Sequence, residues 1–243
     1  MANAKKRKYG NVILDSMPDS EYQAFLDQLD RVEVGIRQVV HEPGRPVNII
    51  YFPVTAVFST VAVTDDGGTV EVATVGREGL AGLSAFLGKP QNTLTVFSQI
   101  PGTCWQVPVP PFRKALEDGG WLHETLHHYT QCLMVQMSQS VICNARHTVL
   151  ERCARWLLMS ADRVQSSEFL LTQEFLGQML AARRGSVNET ATTFESKGLI
   201  EYSRGRIKIV NRKGLEGVSC ECYERIASEY KKFAKDIRHL RKR

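Results

Sequence analysis

Apolar and polar positions change rhythm twice along this chain. In DSEYQAFLDQLD (19–30), Tyr22, Phe25, Leu26 and Leu29 recur at helical spacing, which predicts a short helix. From about 32 to 108 the rhythm is that of strands. IIYFPVTAVFSTVAVT (49–64) is rich in β-branched and aromatic residues, DDGG (65–68) signals a hairpin, and TVEVATV (69–75) alternates. TLTVFSQ and TCWQVPV follow, and this many short strands at close spacing predict a barrel or jelly roll. The glycines of GREGLAG (76, 79, 82) read as turns of that barrel, because no Lys-Ser/Thr follows to complete a phosphate loop.

From about 112 the spacing becomes helical. Leu122, Leu126, Tyr129, Leu133, Met137 and Val141 form one apolar stripe on a helix of about 20 residues. Such a stripe can pack on its own barrel or pair with a second copy. A second helix is expected in RHTVLERCARWLLMSADRV (146–164). Residues 170–210 then predict helix, tight turn, helix and basic hairpin. Thr172 is a good N-cap for a helix over Gln173 to Leu180. After a break near Ala181–Arg183, a second helix runs to about Lys197, and Gly198 stops it. Val187, Ala191 and Phe194 share its core face, whereas Arg184, Asn188, Glu189 and Thr192 point elsewhere. LIEY–SRG–RIKIV predicts a hairpin with Arg204 and Arg206 at its tip. This is the layout of a winged helix-turn-helix, whose second helix can enter a major groove. A small αα-hairpin packed inside an enzyme is the competing reading.

Charge adds weight to the first reading. The net charge is +5, and residues 172–214 hold eight basic against four acidic residues. Lys5, Lys6, Arg7 and Lys8 begin the chain with a basic run, and RHLRKR ends it. A polyanion partner fits this distribution. Apolar residues make up 43%, enough for real cores, but no run is long enough for a membrane helix or a signal peptide. The expected location is therefore the cytoplasm, with the six cysteines reduced. Cys220 and Cys222 form a lone C-x-C without a second pair, and the cysteines are expected mainly as small core residues.

The stretches YFPVTAVFSTVAV, VEVATVGREGLAG, ERCARWLL and TQEFLGQMLAARRGSVNETATTFESKGLI carry a resemblance to a known family. From about residue 12 to 215 the chain resembles the Crp–Fnr family of bacterial transcription regulators. The resemblance implies an α+β chain: an N-terminal double-stranded β-helix or jelly-roll barrel of the cyclic-nucleotide-binding type, a long dimerisation helix and a C-terminal winged helix-turn-helix. The expected boundaries are a basic arm (1–11), the barrel (12–118), the dimer helix (119–145), the DNA-binding domain (146–215) and a basic helical tail (216–243). The tail either adds backbone contacts or packs on the barrel. The resemblance implies a homodimer on a palindromic double-stranded DNA site, with RNA polymerase as a further partner. Arg184, Asn188 and Glu189 are then the base-reading candidates, and Thr172, Arg183, Ser186, Arg204 and Arg206 the backbone contacts. In the family the recognition helix carries an R-E-T-V-x-R-like stretch. Here RGSVNE puts Gly185 where Glu is usual and Glu189 where Arg is common, so a different target sequence is expected.

The effector site departs further from the family pattern. Leu83 follows Gly82 where a Glu would meet a ribose, and Asn92-Thr93-Leu94 falls where an arginine would meet a cyclic phosphate. A phosphate buried without a cation is poorly held. Cyclic AMP or cyclic GMP bound in the usual mode is not expected, and the effector stays unidentified. No cysteine precedes Cys104, which argues against the N-terminal iron–sulfur set of the oxygen-sensing branch. His41, His123, His127, His128 and His147 could in principle ligate haem, but no cofactor is expected.

One motif points to other chemistry. HETLHH (123–128) contains H-E-x-x-H, the pattern of zinc peptidases, with His123 and His127 as ligands and Glu151 as a conceivable third. The same residues flank the apolar stripe, so a helix seam is the plainer explanation, and metal or pH sensing at a dimer interface lies between the two. The competing functional classes are thus a zinc peptidase and a ligand-binding module without DNA binding.

Overall fold

The computed structural model describes residues 9–65, 67–88, 91–117 and 119–241. The basic run at Lys5–Lys8 and the final Lys242 and Arg243 lie outside the described residues. Two short helices come first among the described residues, α1 (Val12–Ser16) and α2 (Asp19–Leu26). Seven strands follow: β1 (Asp30–Val34), β2 (Val39–His41), β3 (Ile49–Pro53), β4 (Val57–Val63), β5 (Thr69–Val75), β6 (Thr95–Ile100) and β7 (Gly102–Pro108). They form two antiparallel sheets, β1-β7-β3 and β2-β6-β4-β5, facing each other in a jelly-roll-like sandwich. Val34, Ala56, Phe58, Val75, Ala81, Val96 and Cys104 fill the space between them.

The helices continue the chain as α3 (Val109–Lys114), α4 (Trp121–Arg146) and α5 (Val149–Val164). Thr148 starts α5 with a capping box: its hydroxyl accepts from the Glu151 N–H, and the Glu151 carboxylate accepts from the Thr148 N–H at 2.8 Å. The last third is β8 (Glu168–Leu170), α6 (Gln173–Met179), α7 (Arg184–Ser196), β9 (Ile200–Ser203), β10 (Arg206–Ile209), α8 (Arg212–Val218) and α9 (Cys222–Leu240). β8, β10 and β9 make a small antiparallel sheet in the order β8-β10-β9. The core of this third includes Trp156, Leu157, Phe175, Val187, Phe194 and Ile207, and it is continuous with Val57, Val61 and Ile100 of the barrel. That is why β4 is buried on both faces over its first half.

The stripe on α4 divides. Leu122, Leu126 and Tyr129 are fully buried within the chain, packed with α1, α2, α3 and the barrel. They are therefore not surface that a second copy could touch. Leu133 and Met137 are half-buried, and Met134, Val141 and Ile142 are the large exposed apolar residues of the helix. Glycines set the close approach at the buried end. A Cβ on Gly79 would lie 2.3 Å from the Tyr129 ring, and one on Gly76 would lie 2.5 Å from the Arg163 side chain. The GREGLAG glycines thus admit α4 and α5 to the barrel surface as well as turning the chain. Arg163 fills that junction, pairing with Glu78 at 2.9 Å and donating to Gln136 Oε1 at 2.8 Å.

The C-terminal tail packs on α4 and α1 rather than standing apart. Tyr223, Ile226, Phe233 and Ile237 are among its buried positions, and the Trp121 indole donates to the Ile237 carbonyl at 3.0 Å.

Candidate nucleic-acid interface

The helix-turn-helix forms where the residue pattern places it. The Thr172 hydroxyl accepts from the Phe175 N–H at 3.2 Å and caps α6. The turn passes through Ala181 at φ 46°, and the Ala182 N–H donates to the Gly177 carbonyl at 2.9 Å. α7 then begins at Arg184, with Arg183 at its N-cap, and it ends at Ser196, followed by Gly198 at φ 63°. Val187, Thr190, Ala191 and Phe194 are buried. Arg184, Asn188 and Thr192 make one exposed row, and Gly185 and Glu189 make the next. Thr192 extends the first row beyond the candidates Arg184 and Asn188, and the third candidate, Glu189, stands in the second row.

Gly185 faces open space, so nothing in the fold excludes a larger side chain there. Its effect is to leave the first turn of α7 uncovered, between two arginines and the half-buried Ser186. Free N–H groups at such a turn favour an anion.

The hairpin of β9 and β10 turns through Arg204 at φ 50° and Gly205 at φ 73°, the two positive angles of a tight hairpin turn. Arg204 is exposed and makes no ion pair among the described residues. Arg206 is exposed and pairs with Glu168 at 3.4 Å, an interaction that solvent screens. A methyl on Gly205 would sit 3.8 Å from that of Thr172, so the wing tip lies beside the start of α6. The Thr172 hydroxyl still has its own proton to donate. Arg184 also lines a cleft of 430 Å³ between α6 and the β4–β5 hairpin, with Gly67, Gly68 and Thr69 on the far side.

At the effector position, Gly82 has φ 108° and its missing Cβ leaves room for Ile50 and His41. The His41 ring bonds to the Ile49 carbonyl at 2.9 Å, and burial holds its pKa below the usual value. The Asn92 amide turns back to the Leu94 carbonyl.

His123 and His127 sit with ring centroids 4.7 Å apart, and both rings meet Phe86 in edge-to-face contact, at 5.3 and 5.0 Å. Glu151, the conceivable third ligand, is engaged with both the backbone and the hydroxyl of Thr148. Among the described residues, no cluster of three or more metal-type donors includes either histidine.

Residues 151–218 match the family model of the Crp-like helix-turn-helix domain. Solved structures of this architecture span most of the chain. FixK2 from Bradyrhizobium japonicum is 17% identical over 79% of this chain and 98% of its own, with a TM-score of 0.68. The c-di-GMP responsive global regulator CLP of Xanthomonas campestris is 12% identical over 79% and 99%, with a TM-score of 0.63. A transcriptional regulator of the CRP family from Thermus thermophilus is 18% identical over 78% and 96%, with a TM-score of 0.61. No curated protein matches the chain by sequence. The chain thus shares the fold of these solved Crp/Fnr-type regulator structures, and its winged-helix segment, residues 151–218, matches the Crp-like helix-turn-helix domain. No helix among the described residues is long and apolar enough to cross a membrane.

Proposed function

We propose that the chain is a sequence-specific transcription regulator that acts in the cytoplasm as a homodimer on a palindromic duplex. One observation carries this reading. α7 buries Val187, Ala191 and Phe194 and presents Arg184, Asn188 and Glu189 outward, and the basic wing turn lies beside Thr172 at the start of α6. Arg184 would take a guanine edge bidentately, and Asn188 suits adenine. Glu189 can accept from a cytosine amine. Thr172, Arg183, Ser186, Arg204 and Arg206 would hold phosphates and set the register. A second copy would meet the exposed part of α4, at Met134, Val141 and Ile142, with Leu133 and Met137 at its border. Crp/Fnr regulators work as dimers on DNA. An unidentified small effector and RNA polymerase complete the proposed partners. A peptidase role is disfavoured by the engagement of Glu151 in its cap and by the packing of His123 and His127 on Phe86.

The test is retention of duplex fragments from a genomic pool by the purified chain at two salt concentrations. Recovery of fragments sharing one palindrome is expected. Recovery without shared sequence, or no retention at either salt, would overturn the reading.

A further inference from the structure

Three thiols and one imidazole, far apart in the chain, meet where α4 ends. Cys143 lies in the last turn of α4, and His147 is the residue that caps that helix. Cys220 lies between α8 and α9, and Cys222, beyond Glu221, is the first residue of α9. The Cys143 and Cys220 sulfurs are 3.5 Å apart, and Cys222 Sγ is 3.8 Å from His147 Nδ1. All four donor atoms lie within 4.8 Å of one another. The three cysteines are buried and form a cluster that no other buried apolar residue joins.

We propose that Cys143, His147, Cys220 and Cys222 bind one zinc ion that clamps the start of α9 to the end of α4. Tetrahedral zinc holds sulfur at about 2.3 Å and nitrogen at about 2.0 Å, which sets neighbouring donors roughly 3.5–3.8 Å apart. The observed separations need only small side-chain adjustments to meet that figure. A disulfide would use Cys143 and Cys220 alone, with sulfurs about 2.05 Å apart, and would give Cys222 and His147 no role. A cluster of several irons would need its thiolates spread over a wider shell than these four atoms occupy.

Two further features point to an anionic centre. Arg152 and Arg155 are buried beside the thiols, and the Nε of each has no hydrogen-bond partner among the described residues. Arg155 does donate from Nη1 to Met159 Sδ at 3.5 Å, but neither Nε is satisfied, and a buried cation that is only partly paired is costly. Three thiolates, one neutral imidazole and Zn²⁺ carry a net charge of −1, which offsets that cost. His147 Nε2 lies 3.2 Å from a Glu221 carboxylate oxygen. A proton on Nε2, donated to Glu221, leaves Nδ1 free to face the sulfurs, the carboxylate–histidine arrangement common behind zinc ligands.

Four protein ligands close the coordination shell and leave no position for substrate, so the ion is structural rather than catalytic. Its place is the junction between α4 and the DNA-binding third, at residues 147–148. Occupancy would fix the direction in which α5 leaves α4 and would hold the start of α9 against both.

The test uses the full chain, purified reduced and without chelator. Native mass spectrometry should find one zinc per chain. The ion should be absent in Cys143→Ser and Cys222→Ser and present in Cys104→Ser, whose thiol lies inside the barrel. Because a serine variant can misfold, the stripped wild type is also titrated with Co²⁺, which should give the strong thiolate charge-transfer and tetrahedral d–d bands. His147→Cys should retain them, and Glu221→Gln should weaken Co²⁺ binding by ~10–100-fold. A metal-free chain that gives no such bands, an iron–sulfur absorption, or a Cys143–Cys220 disulfide in the reduced preparation would overturn the assignment. None of these readouts depends on DNA binding.

Discussion

The two ends of α4 carry two sets of metal-type ligands with opposite histories. Near the start, His123 and His127 stand one turn apart in a recognisable motif, yet their rings rest on Phe86 and each other. At the other end, Cys143 and His147 belong to no familiar pattern, yet Cys220 and Cys222 arrive from a distant part of the chain to complete a tetrad. Spacing along one helix supplies two ligands at most. A closed site needs other elements to converge on it, and their convergence is a property of the fold.

The largest way to break this comparison is to remove the proposed ion. Chelation, or Cys222→Ser, should lower unfolding free energy by roughly 4 kcal/mol or more, as loss of a structural metal does. Thermal melts with and without chelator check it. Equal melting temperatures would leave the two ends of α4 alike.

Next comes the junction between those ends. Arg163 is buried and joins Glu78 of the barrel to Gln136 of α4. Arg163→Ala strands a largely buried carboxylate and should cost ~3–5 kcal/mol. Urea midpoints should show this, and a loss below about 1 kcal/mol would mean that α4 is not fixed to the barrel there.

A slightly smaller effect is expected with pH. Burial pushes the Glu71 carboxyl up to about 7, although Ser59, Arg155 and Trp156 oppose the shift. The folded chain keeps a proton that the unfolded chain releases at about 4.5. This group's contribution to stability is therefore full below about pH 4.5 and is lost as pH rises to about 7. Glu71→Gln should remove that loss, improving stability at pH 8 relative to pH 5 by roughly 2–3 kcal/mol. Identical pH profiles for wild type and variant would place the titrating group elsewhere.

The smallest effect falls on the familiar motif. Replacing His123 and His127 with Gln should change stability by only about 0.5 kcal/mol and leave the zinc content unchanged. Loss of zinc from that variant would reverse the comparison.

Much of the fold could be read from local pattern. The alternation of 69–75, the Thr172 cap and the Val187, Ala191, Phe194 face each have a local cause, and the structure shows the strand, the cap and the buried face. The stripe on α4 is legible as apolar but not in its partners. Periodicity cannot distinguish Leu122, Leu126 and Tyr129, buried by the chain's own barrel, from Val141, which is exposed. The exposed row of α7 is legible because the core residues of the same helix fix its orientation. The tetrad of three cysteines and one histidine is not, because C-x-C and a distant Cys-x-x-x-His say nothing of each other until α9 folds back along α4. Arg152 and Arg155 hide in the same way, as ordinary polar positions of an amphipathic helix.

The most direct test of the proposed regulator role compares Arg184→Ala with wild type on a selected palindrome and on random duplex, by anisotropy at two salt concentrations. A loss of ~1–3 kcal/mol per half-site on the palindrome, with little change on random DNA, is the predicted result. Equal losses on both duplexes would contradict base reading by the exposed face of α7.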